Sequence, residues 1–308
     1  MTTTEISLLY FHTHLASHAT RVGECDQLYQ RSRRGDVTRV FRGCFVDTTY
    51  WLSLDAADRH RALAHLAALR FDDDLVFSHR TAAALYRLPV LGPWPARVHV
   101  AGHPGAASDR SAALARHALG VSNASVRIDG LQVTPLAVTV AQLAAVERFA
   151  AGVVVADAAL RRPGLSTADL QAAARAIPRY HGRSRAISVA EFADGRADRP
   201  GESISRCSML AAGLTLPELQ VELVGASGGR YFADFYWREF GLIGEFDGAA
   251  KYKDPEFLRG RTPEQALLDE KYREDDLRAA KHGFSRWGWK VALSPPLLGA
   301  QLRSAGVR

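Results

Sequence analysis

Two closely spaced apolar strands that carry acidic residues constrain the fold of this chain more than any other feature. Residues 232–248 read FADFYWREFGLIGEFDG, in which two strand-forming stretches are separated only by the residues REFG. A connection this short favours an antiparallel meander. Because side chains alternate between the two faces of a strand, Glu245 and Asp247 share a face. The adjacent strand can then bring Asp234 next to Glu245.

These acids have two interpretations. Carboxylates are costly to bury, so two of them in contact tend to hold a proton or a cation. Oxygen ligands of this type suit Mg²⁺ or Mn²⁺, which makes Asp234, Glu245 and Asp247 candidate metal ligands. The alternative is that the first two are exposed strand residues and that Asp247 belongs to an Asp-Gly turn.

Helices flank the strands. A helix at 202–213 precedes them, a second helix at 262–282 follows them, and a last strand begins at Phe284. The second helix starts with the capping residue Thr262. On a helical wheel, Lys271 falls on the apolar side of this helix and is predicted to face inward. The residues that mark this side are Leu267, Leu268, Tyr272 and Ala279.

This order of elements covers residues 198–292 and includes the strings PGESISR, ADFYW, GEFDG and EKYREDDLRAAKHGFSRWGW. As a set, they resemble the PD-(D/E)XK nuclease superfamily, in its very-short-patch-repair-like branch. The resemblance implies a restriction-endonuclease-like domain with a central mixed sheet flanked by helices. It also implies hydrolysis of DNA phosphodiesters with Mg²⁺ or Mn²⁺.

The resemblance implies a role for each matching residue. Asp234 and Glu245 would be the metal-binding acids, and Glu202 would be an accessory acid on the first helix. Asp247 stands where the superfamily pattern has a catalytic lysine. The candidates to replace that lysine are Lys271 and, second, Lys251. The structural alternatives are a dipole-stabilising acid for Glu202 and a salt bridge within the helix for Lys271.

The front of the chain is basic. A helical stretch at 24–33 precedes strand-forming residues at 37–46, which predicts a winged helix over residues 1–50. Such a module places a helix in the major groove and a hairpin on the DNA backbone. The alternative is a solvated basic hairpin without a partner. The residues that would contact phosphates are Arg31, Arg33, Arg34, Arg39 and Arg42.

Helical and strand patterns alternate over residues 51–178, which predicts a mixed α/β domain. Residues 179–199 are predicted to be a basic linker before a C-terminal domain at 200–308. The strings VFSHRTAAALYRLPV, GLQVTPLAVTVAQLA and VVVADAALRR resemble AbiE-type antitoxins and related actinobacterial regulators over about the first 160 residues. That resemblance implies a DNA-binding regulator with a cognate toxin or a defence protein as its partner. His79, in the first string, is interpreted as structural.

The composition and pattern of the sequence argue against a membrane-spanning or secreted protein. No apolar run approaches the roughly 18 residues that would span a membrane, and the N-terminus lacks the pattern of a secretory signal. We therefore expect a cytoplasmic protein without a membrane partner. The cysteines are scattered and give neither a disulfide framework nor a Cys/His zinc spacing. The net charge of +6 comes mainly from arginine, which suits phosphate contacts.

The sequence thus predicts an α/β protein and leaves three functions open. The first is a metal-dependent DNA endonuclease whose front half binds DNA or regulates the enzyme. The second is a non-enzymatic, antitoxin-type DNA-binding regulator with a degenerate nuclease-like domain. The third is a protein-interaction role in phage defence without catalysis.

Overall fold

The structure is a computed structural model of the 308-residue chain. It describes residues 2–16, 23–71, 75–102, 113–118, 124–179, 182–248 and 262–308. These contain thirteen α-helices and three sheets, of which two mix parallel and antiparallel strands, so the predicted α/β class is confirmed. No helix in these ranges combines the length and the apolarity needed to cross a membrane.

The chain forms two compact units. The first unit comprises Met1–Glu147 and Gly164–Glu191, and the second comprises Arg148–Pro163 and Phe192–Arg308. The predicted boundaries near residues 50, 178 and 199 therefore differ from the observed division, in which each unit is built from two segments.

The first unit begins with a small arrangement of helices and strands. Its elements are α1 Thr3–Phe11, β1 Thr13–Leu15, α2 Glu24–Arg34, β2 Val37–Phe41, β3 Cys44–Asp47 and α3 Thr48–Ser53. The strands form an antiparallel sheet in the order β1-β3-β2. Helix α2 ends at Gly35, whose φ of 85° suits glycine. The predicted helix and hairpin are therefore confirmed as elements.

The rest of the first unit surrounds a five-stranded mixed sheet in the order β6-β5-β4-β8-β7. Leu66, Phe77 and Val100 are fully buried in its core. The elements are α4 Ala56–Phe71, β4 Val76–Phe77, α5 His79–Leu85, β5 Val98–Gly102, β6 Leu114–Ala118, β7 Val126–Ile128, β8 Leu131–Val133, α6 Leu136–Val146, α8 Thr167–Ala176 and α9 Arg183–Phe192.

Helix α9 corrects the prediction of a linker at 179–199. Its small apolar residues Ala186, Val189 and Ala190 are buried. Arg185 also donates hydrogen bonds to the Ala144 and Ala145 carbonyls at the end of α6, where a helix leaves carbonyl groups without partners. The arginines that suggested a solvated linker therefore include one that caps a helix.

The second unit contains a four-stranded mixed sheet in the order β12-β11-β10-β9. Strands β9, β10 and β11 form an antiparallel meander, and β12 runs parallel to β11. The predicted order of helix, three strands, helix and strand is therefore confirmed. The elements are α7 Phe149–Leu160, α10 Pro200–Ala211, β9 Glu218–Val224, β10 Arg230–Trp237, β11 Leu242–Phe246, α11 Pro263–Ala279, β12 Gly283–Trp287, α12 Trp289–Ala292 and α13 Pro295–Ser304.

Helix α10 packs closely on the central strand of this sheet. All five residues of β11 are buried. A Cβ atom on Gly201, in the first turn of α10, would lie 2.1 Å from the Phe246 ring, so only glycine permits this approach. The contact places the first turn of α10, which carries Glu202, beside the end of β11.

Candidate functional site

An acidic cavity of about 210 Å³ lies at the C-terminal end of β11, beside the middle of β10, in the second unit. Six of its ten lining residues carry carboxylates, and they come from strands, helices and connecting segments. Four of the six, Asp234, Glu245, Asp247 and Glu202, are acids that the sequence selected. The full lining is Asp198, Arg199, Glu202, Gln220, Asp234, Glu245, Phe246, Asp247, Glu270 and Arg273.

The strand register explains why Asp234 and Glu245 meet. Strands β10 and β11 are paired as far as Phe235 and Gly244, and the next pair in this register is Asp234 and Glu245. There the Phe246 N–H donates to Asp234 Oδ2 at 3.2 Å. The Asp234 side chain thus accepts a backbone donor of the neighbouring strand, which fixes this carboxylate at the cavity.

Glu245 is held by two arginines. It is 5% exposed, and Arg273 Nη2 from α11 donates to its Oε1. Arg286 Nη2 from β12 lies 2.9 Å from its Oε2, because the parallel register of β11 and β12 sets Glu245 beside Arg286. The second contact is an ion pair without hydrogen-bond geometry. A carboxylate this deeply buried needs such compensation.

Glu202 is 3% exposed at the start of α10. Its Oε2 accepts hydrogen bonds from the Asp198 N–H at 2.9 Å and from Gln220 Nε2 at 3.3 Å. Burial, with the nearby negative charge of Asp234, raises the pKa of Glu202 to about 8. Without a cation in the cavity, Glu202 is therefore mostly protonated at neutral pH.

Asp247 lies just beyond β11 and is half-buried at the cavity. Its backbone N–H donates to the Trp287 carbonyl at 2.9 Å, so the parallel pairing of β11 with β12 positions this residue. The structure therefore brings Asp247 to the same cavity as Asp234 and Glu245.

Lys271 does not face the cavity, and the prediction of its inward orientation is wrong. Its side chain is exposed. Among the α11 residues whose burial the structure describes, Ala266, Glu270 and Leu277 are buried, whereas Leu267 and Tyr272 are 58% and 69% exposed. The apolar pattern failed because the buried side of this helix carries ionic groups that pair with others. Lys251, the second candidate, lies outside the described residues.

Six polar residues of the site were missed by sequence reasoning. Glu270 is 9% exposed and lies 3.3 Å from Arg286 Nη1. Gln220 has a φ of 51°, an uncommon backbone conformation for a non-glycine residue. The i, i+3 spacing of Glu270 and Arg273 could have indicated that both lie on one side of α11. The position of Arg286 could not be predicted, because nothing in the sequence gives the register of β12. The six residues are Asp198, Arg199, Gln220, Glu270, Arg273 and Arg286.

The predicted DNA-binding arginines lie in the first unit. Arg33, Arg34, Arg39 and Arg42 are exposed on the last turn of α2, on β2 and in the turn of the hairpin. Arg31 is half-buried, and its Nη2 donates to Asp47 Oδ1 at 3.3 Å. Four of the five are therefore exposed to solvent, and Arg31 forms an internal ion pair.

Comparison with known proteins finds relatives in one species. The chain is 30% identical over 221 residues to the "uncharacterized protein MT2308" of Mycobacterium tuberculosis strain CDC 1551 / Oshkosh. The match covers 69% of this chain and 78% of the relative. The "uncharacterized protein Rv2248" of strain ATCC 25618 / H37Rv matches with the same identity and coverage. No known family profile matches the chain.

Proposed function

The chain belongs to the family of these two Mycobacterium tuberculosis proteins, and we propose that it is a metal-dependent DNA endonuclease of the cytoplasm. One observation carries the proposal. Asp234, Glu245, Asp247 and Glu202, which come from three segments of the second unit, line a single cavity. Grouping four acids in one cavity causes mutual repulsion, which a bound cation would relieve.

The donor set fits a hard cation. Carboxylate oxygens are the ligands that Mg²⁺ and Mn²⁺ prefer, and Asp234, Glu245 and Asp247 would hold the ion with Glu202 as an accessory acid. When bound, the ion supplies charge stabilisation at the scissile phosphate and activation of water. Among the described residues, these acids are not grouped closely enough for three of them to share an ion. Joint ligation therefore requires their side chains to move closer together.

Arginine, rather than lysine, supplies the positively charged side chains of this cavity. Arg199 and Arg273 both line it, and a guanidinium matches the geometry of a phosphate. Arg273 is paired with Glu245 and also donates to the Phe232 carbonyl at 3.3 Å. In the proposed enzyme, Arg273 contacts the DNA phosphate when Glu245 turns to the metal ion.

A plasmid-nicking assay with Mg²⁺ or Mn²⁺ tests this function. We expect wild-type protein to nick plasmid DNA, and we expect Asp234→Ala and Glu245→Ala to lower the rate by at least about 100-fold, since each removes a proposed metal ligand. Glu222→Ala is the matched control, because Glu222 is exposed on β9 of the same sheet. Nicking that persists at the wild-type rate in both cavity variants would contradict the proposal.

A second candidate function rests on the arginines around Glu245. Arg273 and Arg286 already neutralise this acid, and no lysine lines the cavity among the described residues. This arrangement favours a DNA-binding regulator with an inactive nuclease-like domain, acting with a cognate toxin or a defence partner. Wild-type protein that binds DNA in a salt-dependent way, but does not nick it with either metal ion, would support the regulator.

A further inference from the structure

Three histidines converge in the first unit, which does not contain the carboxylate cavity. His79 is the first residue of α5, two residues after the end of β4, while His99 lies on β5 and His117 on β6. Because β6, β5 and β4 are neighbours in the sheet, residues distant in sequence become adjacent. One ring nitrogen from each histidine lies within 4.8 Å of the other two.

Two of the nitrogens already have the separation of ligands on one metal ion. His99 Nδ1 and His117 Nε2 are 3.2 Å apart and form a hydrogen bond in the metal-free protein, which a metal ion would replace. Two nitrogens that each bind one tetrahedral zinc ion at about 2.0–2.1 Å lie roughly 3.3–3.4 Å from each other. The β5–β6 register accounts for the approach, since His99 pairs with Ala115 and His117 lies two residues further along, on the same face.

His79 supplies a buried nitrogen that lacks a partner. Its side chain is 1% exposed, and Nε2 has no hydrogen-bond partner in the described parts of the chain. Nδ1 lies 3.1 Å from Ser78 Oγ. A hydrogen bond on one ring nitrogen fixes the tautomer and directs the other nitrogen toward a metal ion, as in many histidine-ligated sites. The ring stacks on His117 with centroids 3.8 Å apart.

The charge state suits ligation. Burial lowers the pKa of His99 to about 4 and holds that of His79 well below its usual range, with contributions from neighbouring histidines. Burial and the charge of Arg97 lower the pKa of His117. The rings are therefore neutral near pH 7, which is the form that binds metal ions. The charge of Arg80 also lowers the pKa of His99, and Arg80 is itself paired with Glu147.

We propose that His79, His99 and His117 bind one divalent transition-metal ion, zinc by preference, and leave one coordination position open. Imidazole ligands select zinc and its neighbours over Mg²⁺, so this site and the carboxylate cavity would take different ions. The zinc ion would link α5, β5 and β6 at one edge of the five-stranded sheet. The proposal does not depend on nuclease activity.

Metal titration of the full chain tests the site. Chelator-treated protein is titrated with Zn²⁺ by calorimetry and with Co²⁺ by visible absorption. We expect one high-affinity Zn²⁺ ion per chain, an increase in Tm on binding, and the strong visible bands of four-coordinate, nitrogen-ligated Co²⁺. Excess Mg²⁺ should not displace the zinc ion.

Variants assign the ligands. His99→Gln and His117→Gln should each weaken Zn²⁺ binding by at least about 10-fold, and both replace half-buried residues. His282→Gln, in the second unit, should bind zinc as tightly as wild type. Circular dichroism of the metal-free proteins checks that the variants fold, and the wild-type Co²⁺ spectrum tests the ligand type without any variant. A weak six-coordinate Co²⁺ spectrum, or equal Zn²⁺ affinity in both histidine variants and wild type, would overturn the proposal.

Discussion

At the scale of single residues, His65 links the stability of the first unit to pH. Its side chain is 1% exposed, and its Nδ1 lies 3.5 Å from the Tyr10 hydroxyl. Burial lowers the pKa of His65 to about 4, against the opposing charge of Asp129. The pKa of a histidine in an unfolded chain is about 6.5. Between these pKa values the unfolded chain binds a proton that the native state does not, so stability falls as the pH falls.

Replacing His65 with glutamine should remove this contribution. Between about pH 7 and about pH 4.5, we expect wild type to lose about 2–3 kcal/mol more of its free energy of unfolding than His65→Gln. Urea denaturation at the two pH values, with chelator present, measures the difference. Equal losses in the two proteins would show that His65 does not titrate in this way.

At the scale of elements, Gly182 sets the distance between α6 and the start of α9. Its φ is 82°, and a Cβ atom there would lie 2.0 Å from the Ala145 carbonyl oxygen. Gly164 has a similar φ of 86° but nothing within 4 Å of its Cβ position. The two glycines thus share a left-handed backbone and differ in their surroundings.

Alanine variants of these two glycines distinguish the cost of backbone strain from the cost of a steric clash. We expect Gly164→Ala to lower the free energy of unfolding by about 1–2 kcal/mol, the cost of a left-handed alanine. Gly182→Ala should cost about 3–5 kcal/mol, because overpacking adds to that strain. Chemical denaturation of the two variants measures both values. Equal costs would mean that α9 moves away from α6 without penalty.

Local patterns predicted the strands of the site but not the orientation of its helix. The period of β10 and β11 placed Asp234 beside Glu245, because alternation along a strand is fixed by backbone geometry. The face of α11 could not be found from its apolar residues, since buried Glu270 is compensated by Arg286 on β12. That compensation depends on a parallel register, which no local signal encodes. The histidine cluster was missed for the same reason, because sheet order creates it.

At the scale of the whole molecule, the chain passes between its two units three times. Helix α7 belongs to the second unit although the elements before and after it belong to the first. Its sequence, FAAGVVVADAAL, is apolar around most of its circumference, and such a helix is buried on several sides. Asp157 in α7 pairs with Arg206 in α10 at 3.1 Å. Domain boundaries predicted from changes in composition cannot detect a buried helix that belongs to a different unit from its neighbours in the sequence.

The exposed arginines of α2 and its hairpin lead to a prediction about DNA binding by the intact chain. If the exposed arginines of α2 and its hairpin contact phosphates, each contact releases counterions and steepens the dependence of affinity on salt by about 0.9 in a log–log plot. Replacing these four residues with glutamine should therefore reduce the slope by up to about 3–4. They are Arg33, Arg34, Arg39 and Arg42.

The control removes the same charge from another surface. Its four arginines are exposed and lie in the second unit: Arg230, Arg238, Arg303 and Arg308. Binding is measured by fluorescence anisotropy at several salt concentrations, with chelator present so that cleavage does not interfere. A smaller slope for the first set alone would assign phosphate contacts to α2 and the hairpin. Equal slopes for the two sets would mean that only the net charge attracts DNA, and that the first unit has no dedicated DNA-binding surface at these arginines.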